Sequence, residues 1–259
     1  MNYISTKSDN FTGTIVLNND KKHNSLNFDM LEEINEALDT FEAAEKRVVV
    51  IKSNPEAKVW CAGLRIDQLP EPDKDPVPFE YPLEKTLQKI ENYAGVVIAL
   101  IEGSVWGGGC ELAFACDILI GTPGTTFAIT PAKLNAPYNL IQVQRVLNFV
   151  TANIARELFF TAEPIQAKRA LELGILNRMV AKNKLEHFAS SMIKKIVANA
   201  PLSIRLLKKE IHALNRNIIN NIEGVEGIKE EIKAVYYSSD YKEGRKAFLE
   251  KREPQFYGN

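Results

Sequence analysis

The stretch IALIEGSVWGGGCELAFACD, from Ile98 to Asp117, constrains this chain more than any other. Ile98 to Ile101 is a continuous apolar run, the pattern of a strand buried on both faces. Gly107, Gly108 and Gly109 then remove every side chain where the backbone has to turn, and Glu111 opens an apolar run that reads as a helix. Such a turn presents backbone N–H groups directly to a ligand, and aligned amides stabilise negative charge. Three glycines also serve simply to make a tight turn, which is the commoner use of so short a motif. No Lys-Ser or Lys-Thr pair follows the last glycine, so the stretch is not a P-loop.

With 45% apolar and 25% charged residues, a chain of 259 residues is an ordinary globular protein, built as one large domain or as a core with an appendage. A net charge of -1 gives no overall field that would favour nucleic acid or an anionic membrane as partner. No apolar run reaches the roughly 18 to 20 residues of a membrane span, and MNYISTKSDN has no signal-peptide pattern, so a cytoplasmic protein is expected. Cys61, Cys110 and Cys116 are an odd number set among apolar residues, which predicts buried free thiols. His23, His187 and His212 are scattered and no Cys-x-x-Cys spacing occurs, so no metal site is expected.

Strands alternate with helices along the chain. Phe11 to Leu17 puts Phe11, Gly13, Ile15 and Leu17 on one face of a strand, and a polar loop NNDKKHNS follows. From Asn27 to Ala44, Phe28, Leu31, Ile34, Leu38 and Phe41 recur at helical spacing. Val48 to Ser53 and Val59 to Ala62 read as buried strands. Leu69 to Pro82 holds five prolines, which denies it a helix or a central strand and makes it a surface loop, either a lid or a passive insertion. Glu84 to Tyr93 is expected to be helical, with Ile118 to Gly121 and Thr126 to Ile129 as further strands. The last third reads as helices: Ala162 to Leu173 stopped by Gly174, one carrying Leu185, Phe188, Met192 and Ile196, and one from Pro201 carrying Ile204, Leu207, Ile211 and Leu214. The tail beyond Asn215 is charged and aromatic, with Tyr236, Tyr237, Tyr241, Phe248 and Phe256, and is expected to cover the site or a neighbouring subunit.

A second glycine turn, CAGLRI from Cys61 to Ile66, also follows a buried strand. Each turn can offer one amide to the same oxygen, and two converging amides make an oxyanion site. With this pair the chain resembles the crotonase, or enoyl-CoA hydratase/isomerase, superfamily over nearly its whole length. Within it, SVWGG, TPAKLNAPYNL, FTAEPIQAKRALELGILN and SSDYKEGRKAFLEKREPQF resemble the methylmalonyl-CoA decarboxylase branch. The resemblance implies an α/β spiral of ββα units over 1–198 and a helical trimerisation region over 199–259. It also implies an acyl-CoA substrate, a homotrimer or dimer of trimers, and no cofactor beyond the CoA of the substrate.

Carried over residue by residue, the resemblance gives the amides of Leu64 and Gly108 to the thioester oxygen. Ala62, Gly63, Leu64, Arg65, Ile66, Gly108 and Thr130 would line the substrate, Tyr138 would face the reacting carboxylate, and Lys251 would meet the CoA phosphates. Related decarboxylases have a histidine where Leu64 stands, a change that keeps the amide and loses the imidazole. Glu111 is either a catalytic acid or only a charge at a helix start, worth roughly 0.3 to 1 kcal/mol. In the hydratases it works with a second glutamate, whose place here falls to Pro131. A hydratase needs two placed carboxyls, to activate water and to protonate carbon. The single acid therefore favours decarboxylation of methylmalonyl-CoA or a related malonyl-type thioester. A hydratase or isomerase using Glu111 is the alternative, and a non-catalytic binding protein stands behind both.

Overall fold

The computed structural model describes residues 2–68, 82–134, 138, 140–215, 234 and 237–259. The proline-rich stretch from Leu69 therefore lies outside the described residues up to position 81, and so does Tyr236. The chain divides into two compact units, Met1–Ala189 and Ser190–Asn259.

The first unit is a spiral. It opens with β1 (Ile4–Ser8), antiparallel to β2 (Thr12–Leu17), then α1 (Phe28–Ala43), β3 (Val48–Ser53) and β4 (Val59–Cys61). Next come α2 (Pro82–Asn92), β5 (Val96–Ile101), β6 (Ser104–Trp106), α3 (Gly108–Phe114), β7 (Ile118–Gly121) and β8 (Thr126–Ala128). At each turn of the spiral the chain lays one strand in a first sheet and the next in a second. The first sheet accordingly stacks β2, β3, β5 and β7 in parallel, with Ile51 opposite Ala99 and Leu100 opposite Ile120. The second stacks β4, β6 and β8 in parallel. All six residues of β5 are buried, as a central parallel strand requires. The fold is thus the expected α/β spiral, and its repeat brings the chain back to the same edge after β4 and again after β6.

Local chemistry sets the ends of these elements. The side chain of Asn27 accepts from the Met30 amide at 2.8 Å and caps α1, whose buried stripe is Met30, Leu31, Ile34, Leu38 and Phe41. Phe28 and Phe11, both expected inward, face outward; the Arg47 guanidinium lies over the Phe11 ring at 4.9 Å.

The chain continues through α4 (Pro131–Leu134), α5 (Leu140–Leu147), α6 (Ala152–Thr161), β9 (Ile165–Gln166), α7 (Ala167–Glu172) and β10 (Arg178–Met179). This corrects the helix expected over 162–173. Ala162 is the left-handed end of α6, Pro164 has no N–H to continue a helix, and Ile165 joins the second sheet opposite Phe127. Only 167–172 is helical, and Gly174 stops it at φ +81°. The helical periodicities of α5 and α6 were not recognised from sequence.

The boundary between the units falls within α8 (Leu185–Val197); α9 (Pro201–Asn215) and α10 (Ser239–Glu250) follow. Within the second unit the chain end folds back on the start of α10. Asp240 accepts from the amides of Tyr257 and Gly258 at 2.9 and 2.8 Å, and Arg252 grips Glu243 with two nitrogens. That ion pair holds the Glu243 carboxyl down at about 2.

Candidate active site

The loop before α1 positions the first glycine turn. Asn24, fully buried, donates to the Val59 carbonyl at 3.2 Å and so fastens this loop to β4. The Ala62 amide donates to the His23 carbonyl, the Leu26 amide to the Gly63 carbonyl, and the Arg65 amide to the Leu26 carbonyl, at 3.0, 2.8 and 2.9 Å. In such a parallel bridge, alternate peptide groups point to opposite sides. Bonding on both sides of Leu64 thus turns the Leu64 amide away from Leu26. The second turn is fixed by the Gly107 amide on the Ala128 carbonyl at 2.8 Å and by the Cys110 amide on the Gly107 carbonyl at 2.9 Å. The Gly108 amide stands between them at the first position of α3, where no intrahelical acceptor exists.

The two turns meet. A Cβ on Gly63 would lie 2.9 Å from the Gly108 nitrogen, and one on Gly108 would lie 3.2 Å from the Leu64 nitrogen. At Gly63 only glycine permits this approach, and that residue also needs its φ of +83°; at Gly108 a side chain would crowd its neighbours. Gly109 is equally constrained, since a Cβ there would strike the Cys61 carbonyl at 2.7 Å. Two backbone donors from separate turns are thus neighbours.

The structure brings most of the expected side chains to this place. Leu64 packs on the core, and the Thr130 hydroxyl would be 3.8 Å from a Cβ on Gly107. Ala62 and Gly63 form the turn itself. Arg65 is engaged with Asp67 on the surface, and Ile66 is largely exposed. Pro131 follows Thr130 as the first residue of α4, a position that suits its missing N–H. Lys251 belongs to the second unit, exposed just beyond α10 with φ +54°.

Glu111, one turn into α3, is only 3% exposed. Gln142 on α5 donates to both its oxygens at 3.1 and 3.2 Å, and the Tyr138 hydroxyl also hydrogen bonds it. Tyr138 packs edge-on against Phe159, with ring centroids 5.6 Å apart. Burial raises the Glu111 pKa above the ordinary carboxyl range and the nearby charge of Glu84 adds to it, against the pull of Arg145, Gln142 and Tyr138. Burial, then the charge of Glu111, puts the Tyr138 hydroxyl well above its usual value. The Cys61 thiol is pushed up to about 12 by burial, so it stays neutral.

Four of the groups around Glu111 were missed from sequence: Glu84 and Glu91 on α2, and Gln142 and Arg145 on α5. Glu84 and Glu91 are seven residues apart on one helix face, and Gln142 and Arg145 are three apart on another. Those spacings are the only trace the sequence carries of the cluster.

Residues 9–259 match the model of the enoyl-CoA hydratase/isomerase family. The methylmalonyl-CoA decarboxylase of Escherichia coli (strain K12) is 36% identical, covering 99% of this chain and 98% of its own. The short-chain-enoyl-CoA hydratase of Clostridium acetobutylicum is 29% identical, covering 100% and 99%. Among solved structures, methylmalonyl-CoA decarboxylase in complex with 2S-carboxypropyl-CoA superposes with a TM-score of 0.81 at 36% identity, over 100% of this chain and 99% of that one. Spiral, paired glycine turns and full-length similarity agree: the chain belongs to the enoyl-CoA hydratase/isomerase, or crotonase, family.

Proposed function

We propose that this protein is an acyl-CoA decarboxylase that converts methylmalonyl-CoA, or a related malonyl-type thioester, to the shorter acyl-CoA and carbon dioxide. The observation that carries this reading is the pairing of two backbone donors with one acid, Glu111, on the helix that the second turn opens, while Pro131 holds the place that the resemblance assigns to a hydratase's second carboxyl. When the carbon–carbon bond breaks, its electron pair passes into the thioester and puts negative charge on the carbonyl oxygen. The Leu64 and Gly108 amides stabilise that charge, and no base is needed to start the reaction. Dry, apolar surroundings favour loss of the carboxylate, and Leu64 and Leu83 supply such a wall beside Gly108. Tyr138 offers its hydroxyl to the carboxylate without adding charge. Glu111 then gives a proton to the enolate carbon and is reprotonated from solvent.

The 36% identity with a decarboxylase over nearly the full length supports this choice. A hydratase using Glu111 is the second reading, favoured by the buried position of that acid and by the hydratase among the relatives. Incubation with a panel of acyl-CoAs, followed by mass and carbon dioxide release, separates the two. Methylmalonyl-CoA or malonyl-CoA is expected to lose carbon dioxide, and crotonyl-CoA to gain water poorly or not at all. Release of no carbon dioxide from any malonyl-type thioester overturns the first reading.

The reading includes a homotrimer or dimer of trimers built through the helices after residue 198, with Lys251 on the CoA phosphates and no cofactor other than the substrate's own CoA. Leu207, Ile211 and Leu214, spaced as one stripe of α9, are each more than half exposed, which supports burial of that face in an assembly. Light scattering at micromolar concentration should give three or six chains per particle, and a monomer refutes the assembly. Three buried free cysteines support a reducing, cytoplasmic compartment; no helix among the described residues is long and apolar enough to cross a membrane.

A further inference from the structure

Four ionisable groups, three of them buried and Glu84 partly exposed, meet where α2 and α5 pack on α3: Glu84 and Glu91 from α2, Arg145 from α5 and Glu111 from α3. Their side chains are 15, 8, 3 and 4% exposed. The one guanidinium cannot make close hydrogen bonds to all three carboxyls, and a buried carboxylate that a cation does not hydrogen bond is costly. Uptake of one proton relieves much of that cost.

Geometry selects the carboxyl that takes it. Arg145 Nε donates to Glu91 Oε1 at 2.8 Å, and Nη2 donates to both oxygens of Glu84 at 3.0 and 3.3 Å. Its remaining nitrogen, Nη1, makes no hydrogen bond among the described residues and stands 3.6 Å from Glu111 Oε2. Glu111 is met by neutral groups instead, the Gln142 amide and the Tyr138 hydroxyl. An amide suits either state of the acid, because once turned over its oxygen accepts from a protonated carboxyl.

We propose that Arg145 is a positioning residue for Glu111, and that Glu84 and Glu91 hold its guanidinium back so that Glu111 keeps a proton in the resting enzyme. Among the described residues, the other titratable groups near Glu111 are Cys110 on the same helix, Cys61 beside it, and Tyr138. Burial raises all three, so they stay neutral where Glu111 titrates. The functional consequence rests on the decarboxylase reading, in which this stored proton is the one delivered to the enolate.

Infrared difference spectroscopy of the full-length enzyme tests the proposal without substrate. A protonated-carboxyl band at neutral pH, assigned by its loss in Glu111→Gln, is expected in the wild type. Glu84→Gln and Glu91→Gln each release the guanidinium toward Glu111 and should lower the pH at which the band disappears by about one unit or more. Arg145→Met should move it the opposite way, and Arg145→Lys, which keeps the charge, should return it toward the wild-type position. The pH limb of turnover should follow the same order. A purely structural role would change melting temperature without these opposed shifts. Absence of the band in the wild type overturns the proposal, as does an unmoved band in folded Glu84→Gln and Glu91→Gln. Should Arg145→Met not fold, the two glutamate variants and Arg145→Lys still decide. Since the infrared readout needs no carbon dioxide, a failed decarboxylase reading and a failed proton store are told apart.

Discussion

Gly108→Pro is expected to lower turnover by about 10²- to 10³-fold, the usual result of losing one oxyanion donor, about 2.7 to 4 kcal/mol. The fold should survive, because Gly108 is the first residue of α3, where proline is well tolerated and the missing N–H breaks no helical bond, and the Cβ that proline shares with alanine stands 3.2 Å from the Leu64 nitrogen, a tight contact that a small shift relieves. Gly107 before it has no Cβ to clash with the proline ring. Gly108→Ala keeps the N–H but sets a methyl group 3.2 Å from both the Leu64 nitrogen and Leu83 Cδ2, so a smaller loss is expected. Leu64→Ala supplies the contrast. That residue contributes a backbone group, and its truncation should cost less than tenfold. Circular dichroism establishes folding, and CoA binding establishes that the rest of the site persists. Wild-type turnover in folded Gly108→Pro would falsify the assignment of this amide to the oxyanion.

The sequence disclosed what depends on local periodicity. Val48–Ser53 and Ile118–Gly121 are strands with the expected bounds, because β-branched runs between turn residues have few other uses. The glycine turns were legible for a related reason: a Cβ at 63 or 109 would collide with backbone, so the requirement is written in residue type. What failed was tertiary. Phe11 and Phe28 fit the apolar series of their elements, yet both lie at element ends, where the sheet and the helix no longer cover them. The helix read over 162–173 had apolar spacing in its favour, but Pro164 and the pairing of Ile165 with Phe127 prevailed. The charge cluster could not be read at all. Arg145 lies 54 residues from Glu91 and 61 from Glu84, and no local pattern links residues so far apart. Only the packing of α2 and α5 against α3 reveals that they share a buried space with Glu111.

Glu111→Gln decides between an acid and a helix-start charge. A general acid predicts a fall in turnover of about 10²- to 10⁴-fold, whereas a helix-start charge predicts a loss of roughly 0.3 to 1 kcal/mol of stability and little else. The buried setting also fixes the sign of the pH dependence. With its pKa raised in the folded state, Glu111 contributes most to stability below the ordinary carboxyl range, and that contribution is lost as pH rises through the raised value. Activity that needs the protonated acid should fall through the same window. Glutamine carries no charge at any pH, so the variant should lose this part of the stability profile and match or exceed the wild type at high pH. Heavy water separates bond cleavage from protonation. The wild type should deliver deuterium to one face of the enolate, and the variant should lose that preference because solvent then reaches either face. Retained facial selectivity with unchanged turnover returns Glu111 to a structural role. Rapid hydration of crotonyl-CoA that vanishes in the variant, with no carbon dioxide from either malonyl thioester, installs the hydratase reading instead.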